Sequence, residues 1–303
     1  MREQRWLWLA VASAMVIGGC GSPAAGGAAR HLAVVAVENF WGSIAGQIGG
    51  DRVSVTSVVT DPNADPHEYE ANSDDVRAFA HADYVIRNGA GYDTWAQQVL
   101  DANAASNRKV LTVATLLGKG DGDNPHFWYS PDYVNRVADQ ITADLTALDT
   151  GDAAYFAQQR ASFAAALKPY HDAIASIRAH FLGQKVAATE SIFVYLNDAL
   201  GLDLISPPDF MRAVAEGTDP PVSSIATFQD QLRSREATVL VFNTQTVTPV
   251  TTNLKALAAA ARPPIPTVGI SETLQPTGAT FADWQTAQLS ALQNALASSA
   301  TTH

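Results

Sequence analysis

Two histidines in this 303-residue sequence follow a proline in short loops whose residue types suit metal chemistry. His67 lies in the run DPHEYE (residues 65–70), and His126 lies in the run NPHFW (residues 124–128). A neutral imidazole is a good ligand for first-row divalent transition metals. The preceding proline restricts the backbone of each loop, and a restricted loop loses less conformational entropy when it binds an ion. The two histidines are therefore candidate metal ligands.

Two glutamates stand directly after predicted strands further along the chain. Glu190 follows an apolar run at residues 185–189, and Glu272 follows another at residues 267–271. Open parallel sheets bind ligands at the carboxyl ends of their strands, so both carboxylates stand where a site would form. Together with the two neutral imidazoles they balance the charge of a divalent cation, and a buried charge that is not balanced is costly.

The order of the predicted elements gives the fold class. Between residues 32 and 113, apolar runs alternate with amphipathic stretches, which indicates a parallel sheet covered by helices. Two helical stretches then follow each other. The second, residues 153–181, carries apolar residues on one face, and Pro169 inside it predicts a kink. Alternation resumes at residue 185. We therefore predict an α/β fold of two lobes with parallel sheets flanked by helices, joined by one long rigid helix.

The domain boundaries follow from this order. We predict an N-terminal metal-binding lobe over residues 32–150, a linker helix over 151–182 and a C-terminal metal-binding lobe over 183–303. A helix of the linker's length spans about 40 Å, which is long enough to run along both lobes. Each lobe supplies two of the four candidate ligands, so the predicted site lies in the cleft between the lobes.

The N-terminus has the pattern of a bacterial lipoprotein signal peptide over residues 1–20. Arg2 and Arg5 precede a short apolar run, and Ile-Gly-Gly leads to Cys20. Small residues before a cysteine resemble the lipobox, in which the cysteine is acylated and becomes the mature N-terminus. Residues 21–31 then form a flexible tether. We expect an extracytoplasmic protein anchored to the cell membrane through Cys20; the alternative is a plain cleaved signal peptide with a free thiol.

Composition and charge exclude several other classes. The net charge is −11, which argues against nucleic acid as a partner because lysine and arginine supply that affinity. The single cysteine excludes an intrachain disulfide and a cysteine-rich zinc site. Hydrophobic residues make up 47% of the chain, which is enough for two lobes with their own cores.

The motifs together resemble those of the solute-binding proteins of zinc and manganese ABC importers, the cluster A-I family. DPHEYE looks like the family's first ligand motif, and NPHFW looks like its second. TESIFVY (residues 189–195) is similar to the third, where members carry His or Glu, and SETL (residues 271–274) stands where a fourth carboxylate, more often Asp, is expected. The resemblance implies four metal ligands: His67, His126, Glu190 and Glu272.

The resemblance also implies a cargo and partners. One Zn²⁺ or Mn²⁺ ion per chain would be the transported ligand of a monomeric binding protein without catalytic activity. Its partners would be an ABC permease and an ATPase on separate chains, since this sequence has no Walker-type glycine-rich loop. The choice of metal stays open. Many zinc-specific members carry a His-rich loop, whereas residues 118–124 contain two aspartates and no histidine. Oxygen donors favour Mn²⁺, but Zn²⁺ also binds such sites tightly.

Two other functions would use similar residues. A metallohydrolase needs an open coordination position and a general base, whereas four protein ligands leave little room for water, and no His-Glu-x-x-His motif is present. A two-lobed binder of a metal chelate or another small ligand would not need His67 and His126 to meet. Convergence of the four candidate side chains would favour capture of a bare ion.

Overall fold

The computed structural model describes residues 31–63 and 65–300. The predicted signal peptide, the predicted lipid on Cys20 and residues 21–30 of the predicted tether lie outside the described residues, so these remain predictions from the sequence. Among the described helices, none combines the length and the apolar character that a membrane span requires.

Four parallel strands form the first sheet. They are β1 (Leu32–Glu38), β2 (Val53–Val59), β3 (Tyr84–Arg87) and β4 (Lys109–Thr112). Their order across the sheet is β2-β1-β3-β4. The central strand β1 is almost wholly buried, which is typical of a parallel strand covered on both faces and explains its continuous apolar run. The accompanying helices are α1 (Asn39–Gly49), α2 (Ser73–His81), α3 (Thr94–Ala102), α4 (Val113–Leu117) and α5 (Pro131–Leu148).

A long helical linker follows, in two segments. These are α6 (Ala153–Ala166) and α7 (Lys168–Phe181), with Leu167 between them. The interruption lies two residues before Pro169, which cannot donate a backbone hydrogen bond to the preceding turn. Helical hydrogen bonds still cross it, because the Leu167 amide donates to Phe163 and the His171 amide donates to Leu167. Helix α6 packs on α1 and α5.

The second sheet repeats the strand order of the first. Its strands are β5 (Lys185–Ala188), β6 (Asp203–Leu204), β7 (Leu240–Asn243) and β8 (Thr267–Ile270). They are parallel and run in the order β6-β5-β7-β8. The helices of this half are α8 (Val194–Leu200), α9 (Pro208–Ala215), α10 (Val222–Arg233), α11 (Pro249–Ala260) and α12 (Phe281–Ala300). The linker segment α7 packs against α8 and α12.

The predicted fold class is confirmed: two parallel sheets flanked by helices are connected by the helical linker. Helix α9 was not predicted from the sequence, and it begins directly at Pro208. A proline is compatible with the first turn of a helix, since the missing N–H has no helical partner there. Strand β6 has only two residues.

One hydrophobic cluster runs through both halves and the linker. It contains Trp41 and Trp128 from the first half, Phe163 from α6, and Ile192 and Trp284 from the second half, all nearly inaccessible to solvent. Removing a buried aromatic side chain from a core typically costs about 3–5 kcal/mol, so exposing several at once would cost far more. A wide rotation of one half against the other would open this cluster to water, and we therefore expect the two halves to move little.

Candidate metal centre

Four loops bring the two histidines and the two glutamates together. His67 lies in a 3₁₀ turn after β2, and His126 lies in the loop after α4. Glu190 stands two positions after the end of β5, and Glu272 stands two positions after the end of β8. One ligand atom from each of the four side chains lies within 4.8 Å of the others. All four residues singled out from the sequence therefore meet at one point between the two sheets.

The distances place the imidazole nitrogens against the carboxylates. The Nε2 atom of His126 lies 3.3 Å from Oε1 of Glu190 and 3.9 Å from Oε2 of Glu272. The Nε2 atom of His67 lies 3.5 Å from the same Glu272 oxygen. The side chains of His126 and both glutamates are fully buried, whereas that of His67 is 23% exposed. Solvent therefore reaches this group from the side of His67.

Three of these atoms are buried without a hydrogen-bond partner among the described residues. They are Nε2 of His67, Nε2 of His126 and Oε1 of Glu190. Leaving a buried polar atom unpaired costs about 1–3 kcal/mol, and more for a charged group. A divalent cation at their centre would satisfy all three atoms at once, since imidazole nitrogens and carboxylate oxygens both bind first-row metals. The donor set therefore fits a transition-metal ion.

The ring of His126 is held in one orientation by Asn124. The Asn124 amide nitrogen donates to the backbone carbonyl of Ser191 at 2.8 Å, which turns its oxygen towards the histidine. That oxygen lies 2.7 Å from Nδ1 of His126 and also accepts the backbone N–H of His126. The proton of the neutral ring is consequently on Nδ1, and the lone pair of Nε2 points to the carboxylates.

The two glutamates are held by neutral donors. The hydroxyl of Tyr92 donates to Oε2 of Glu272 at 2.6 Å, across the boundary between the two halves. The side-chain amide of Asn243 donates to Oε2 of Glu190 and to Oε1 of Glu272. The Gln245 side-chain oxygen accepts the backbone N–H of Glu272 at 2.7 Å and so fixes the loop that carries it. No part of this scaffold adds a positive charge to the site.

Burial shifts the protonation of these groups in opposite directions. Desolvation lowers the pKa of His126 to about 3, so its ring is neutral at physiological pH. Desolvation also raises the pKa of Glu190 to about 7, although the hydrogen bond from Asn243 opposes the rise. The pKa of Glu272 is raised by burial as well, and the neighbouring Glu190 carboxylate adds to the effect. The site thus combines an imidazole ready to bind a cation with carboxyl groups that retain protons at an unusually high pH.

A cavity of about 760 Å³ adjoins the site. Its wall includes His67 and Tyr92, and acidic side chains such as Glu68, Asp123 and Glu216 lie around it. The cavity is far larger than a metal ion. It leaves room for a hydrated cation beside His67, and its wall carries more acidic side chains than basic ones, with Arg212 as the arginine in the wall.

Sequence reasoning did not identify Tyr92, Asn124 and Asn243, the three residues whose side chains hold the candidate ligands in place. For Asn243 the same signal was present as for the two glutamates, because it is a polar residue at the carboxyl end of an apolar strand. Asn124 lies inside the second histidine motif, two residues before His126. Tyr92 follows a glycine-containing loop in which residues 89–91 all have positive φ, and no sequence pattern directs its hydroxyl to a carboxylate 180 residues away.

Comparison with known proteins identifies the family. The model of the ZnuA family, described as zinc-uptake complex component A, periplasmic, matches residues 34–295. The chain belongs to this family. The chain is also 24% identical over 242 residues to the manganese-binding lipoprotein MntA of Halalkalibacterium halodurans, covering 77% of this chain and 79% of that protein. It is 23% identical over 236 residues to the metal ABC transporter substrate-binding lipoprotein FimA of Streptococcus parasanguinis, covering 73% and 75%.

A solved structure supports the same fold. The periplasmic zinc-binding protein TroA of Treponema pallidum matches with a TM-score of 0.74, covering 88% of this chain and 99% of that chain at 16% identity. Membership of the ZnuA family confirms the resemblance found in the motifs. The family consists of substrate-binding proteins of metal ABC transporters, so this member is a binding protein for metal transport and not an enzyme.

Replacing Tyr92 by phenylalanine tests the hydrogen bond across the site of this ZnuA-family protein. In the metal-free protein at about pH 8, Tyr92→Phe should lower the free energy of unfolding by about 1–3 kcal/mol, because a buried carboxylate loses a donor. Urea denaturation measures this change. Tyr155→Phe is the control, since its hydroxyl accepts a hydrogen bond only at an exposed position. Equal effects of the two substitutions would contradict the expectation.

Proposed function

We propose that this ZnuA-family protein captures one Zn²⁺ or Mn²⁺ ion outside the cytoplasm and delivers it to the permease of an ABC importer. The ligands are His67, His126, Glu190 and Glu272. The observation that carries the proposal is the convergence of four ligand atoms within 4.8 Å, three of them buried and unpaired. A site built for a bulky chelate would not need these atoms to converge so closely.

The charge of the site supports a divalent ion. Two neutral imidazoles and two carboxylates carry a charge of −2 when the glutamates are ionised, and a divalent cation brings the buried group to neutrality. A monovalent ion would leave one negative charge uncompensated beside three fully buried side chains, which is unfavourable. Imidazole donors also argue against Mg²⁺ and Ca²⁺, which prefer oxygen ligands.

The proposed location outside the cytoplasm is supported by the N-terminal sequence and by the names of the related proteins. The signal pattern ending at Cys20 and the following tether would hold the two lobes near the outer surface of the cell membrane. The names of two relatives, a manganese-binding lipoprotein and a metal ABC transporter substrate-binding lipoprotein, support this arrangement. We propose that the protein acts there as a monomer, with the permease and the ATPase on separate chains.

Capture and release would follow from local movements. The shared core resists a wide hinge motion, whereas His67 lies in a short loop beside the cavity and is the most exposed of the proposed ligands. An ion entering through the cavity would meet His67 first and then the three buried ligands. Contact with the permease would displace the loop of His67 and open the site without separating the two halves.

Removing either histidine should abolish tight metal binding. We expect the parent protein to bind one ion per chain, and His67→Ala or His126→Ala to weaken binding by at least about a hundredfold, since losing even an outer partner of a ligand costs 10–100-fold. Calorimetric titration with Zn²⁺ and Mn²⁺ measures both values. His180→Ala, at an exposed position on α7, is the control. Parent-like binding by both site variants would refute the proposed function.

The type of donor at position 190 should govern metal preference. Glu190→His replaces an oxygen donor by a nitrogen donor, which suits Zn²⁺ better than Mn²⁺. We expect the ratio of Zn²⁺ to Mn²⁺ affinity to rise by about tenfold. Competition titrations with a chelator of known affinity measure the ratio. A ratio that stays constant or falls would argue against Glu190 as a ligand.

Metal affinity should decrease as the pH falls. The raised pKa of Glu190, about 7, means that the empty site holds a proton below that pH, and the ion must displace it. His126, with a pKa of about 3, adds no competing proton near neutrality. Each displaced proton weakens affinity by about tenfold per pH unit below the pKa of the group. Titrations between about pH 8 and pH 6 in buffers of different ionisation enthalpy count the released protons. Constant affinity over this range would contradict the prediction.

A further inference from the structure

Asn243 lies between the two glutamates because of the strand order in the second sheet. Strand β7 has β5 on one side and β8 on the other, and it ends on Asn243, while the flanking strands lead to Glu190 and Glu272. The Asn243 nitrogen Nδ2 donates to Oε2 of Glu190 at 2.7 Å and to Oε1 of Glu272 at 2.7 Å. One amide group, with its two N–H bonds, therefore binds both carboxylates.

The orientation of this amide is fixed by its other contacts. The oxygen Oδ1 of Asn243 accepts the backbone N–H of Gln245 at 2.9 Å, so the nitrogen must face the carboxylates. The same nitrogen lies 3.0 Å from the hydroxyl oxygen of Thr246. Asn243 is 2% exposed, and water cannot readily take its place. The amide is a preorganised part of the site.

The hydrogen bonds divide the four carboxylate oxygens into two pairs. Oε2 of Glu190 and Oε1 of Glu272 face Asn243. The remaining oxygens, Oε1 of Glu190 and Oε2 of Glu272, are those that approach His126. The Tyr92 hydroxyl also donates to Oε2 of Glu272, but this oxygen still faces the imidazoles, at 3.5 Å from Nε2 of His67 and 3.9 Å from Nε2 of His126. The two oxygens bonded by Asn243 are instead held on the side of that amide.

We propose that Asn243 limits each glutamate to one metal-binding oxygen and thereby sets the preference of the site between Zn²⁺ and Mn²⁺. This inference rests on the proposed capture of a metal ion. With one oxygen from each glutamate and one nitrogen from each histidine, the protein offers four donors, the number that Zn²⁺ prefers. Mn²⁺ favours octahedral, oxygen-rich coordination. It would gain most if the carboxylates could turn and bind through both oxygens.

The test replaces Asn243 by leucine, which has a similar volume and no donor. Asn197→Leu is the matched control, because Asn197 is also a buried amide of the second half, and among the described residues its side-chain nitrogen donates to the backbone carbonyl of Leu202 and to no carboxylate. Both variants and the parent are purified as full-length proteins in detergent. Competition titrations give their affinities for Zn²⁺ and Mn²⁺, and X-ray absorption spectra of the loaded proteins give the coordination numbers.

We expect Asn243→Leu to lower the ratio of Zn²⁺ to Mn²⁺ affinity by about tenfold and to raise the coordination number above four. Asn197→Leu should change neither quantity, even if it lowers stability. A ratio and a coordination number that stay at the parent values in Asn243→Leu would overturn the role of Asn243 while leaving metal capture intact.

A measurement on the parent protein covers the case in which Asn243→Leu fails to fold or to bind. Crystal structures of the parent loaded with Zn²⁺ and with Mn²⁺ should show one bound oxygen from each glutamate and both hydrogen bonds of Asn243 retained. Bidentate binding by either glutamate would overturn the inference. If the parent protein bound neither Zn²⁺ nor Mn²⁺, the proposed function would be refuted. The role proposed for Asn243 would then be refuted as well.

Discussion

Two carboxylates withdrawn from water are the constraint on which the rest of the site depends. An ionised carboxylate in an apolar interior is so unfavourable that it either takes up a proton or acquires compensating partners. Glu190 and Glu272 are both fully buried, and their surroundings supply neutral donors in place of lysine or arginine. A neutral scaffold leaves the negative charge available to a cation. Burial lowers the pKa of His126 to about 3, so this imidazole adds a donor without adding positive charge.

The parallel sheets explain how residues far apart in sequence reach this point. In each half the chain starts in the middle of the sheet, so that loops from neighbouring strands emerge together at one edge. The first half brings two imidazoles to that edge, and the second brings two carboxylates with Asn243 between them. The helical linker and the shared aromatic core then hold the two edges face to face. The positions of the four side chains therefore depend on the sheets, the linker and the shared core, and not on the loops alone.

Much of this arrangement could be predicted from the sequence. The alternation of strands and helices gave the fold class, and the two proline-histidine motifs and the two glutamates after strands pointed to the residues that meet. Asn243 was missed because its position between Glu190 and Glu272 depends on the strand order, and alternation alone does not reveal which strands are neighbours. The Tyr92 contact depends on a loop with unusual backbone angles and on the packing of one half against the other. Helix α9 was missed because the pair Pro207 and Pro208, at its N-cap and first position, also suits a loop.

The core that spans both halves has a consequence for the time that an ion stays bound. In a hinged binding protein, spontaneous opening sets the rate of escape. Under the proposed mechanism, escape would require only that the loop of His67 move aside. Asp65 holds that loop in place, because its carboxylate accepts the His67 backbone N–H at 3.0 Å and the hydroxyl of Thr246 from the opposite half at 3.3 Å. The dissociation rate would then follow the local unfolding of a few residues. The residence time of the ion and its equilibrium affinity could then evolve separately. Substitutions at Asp65 would change the residence time, and substitutions at the proposed ligands would change the affinity.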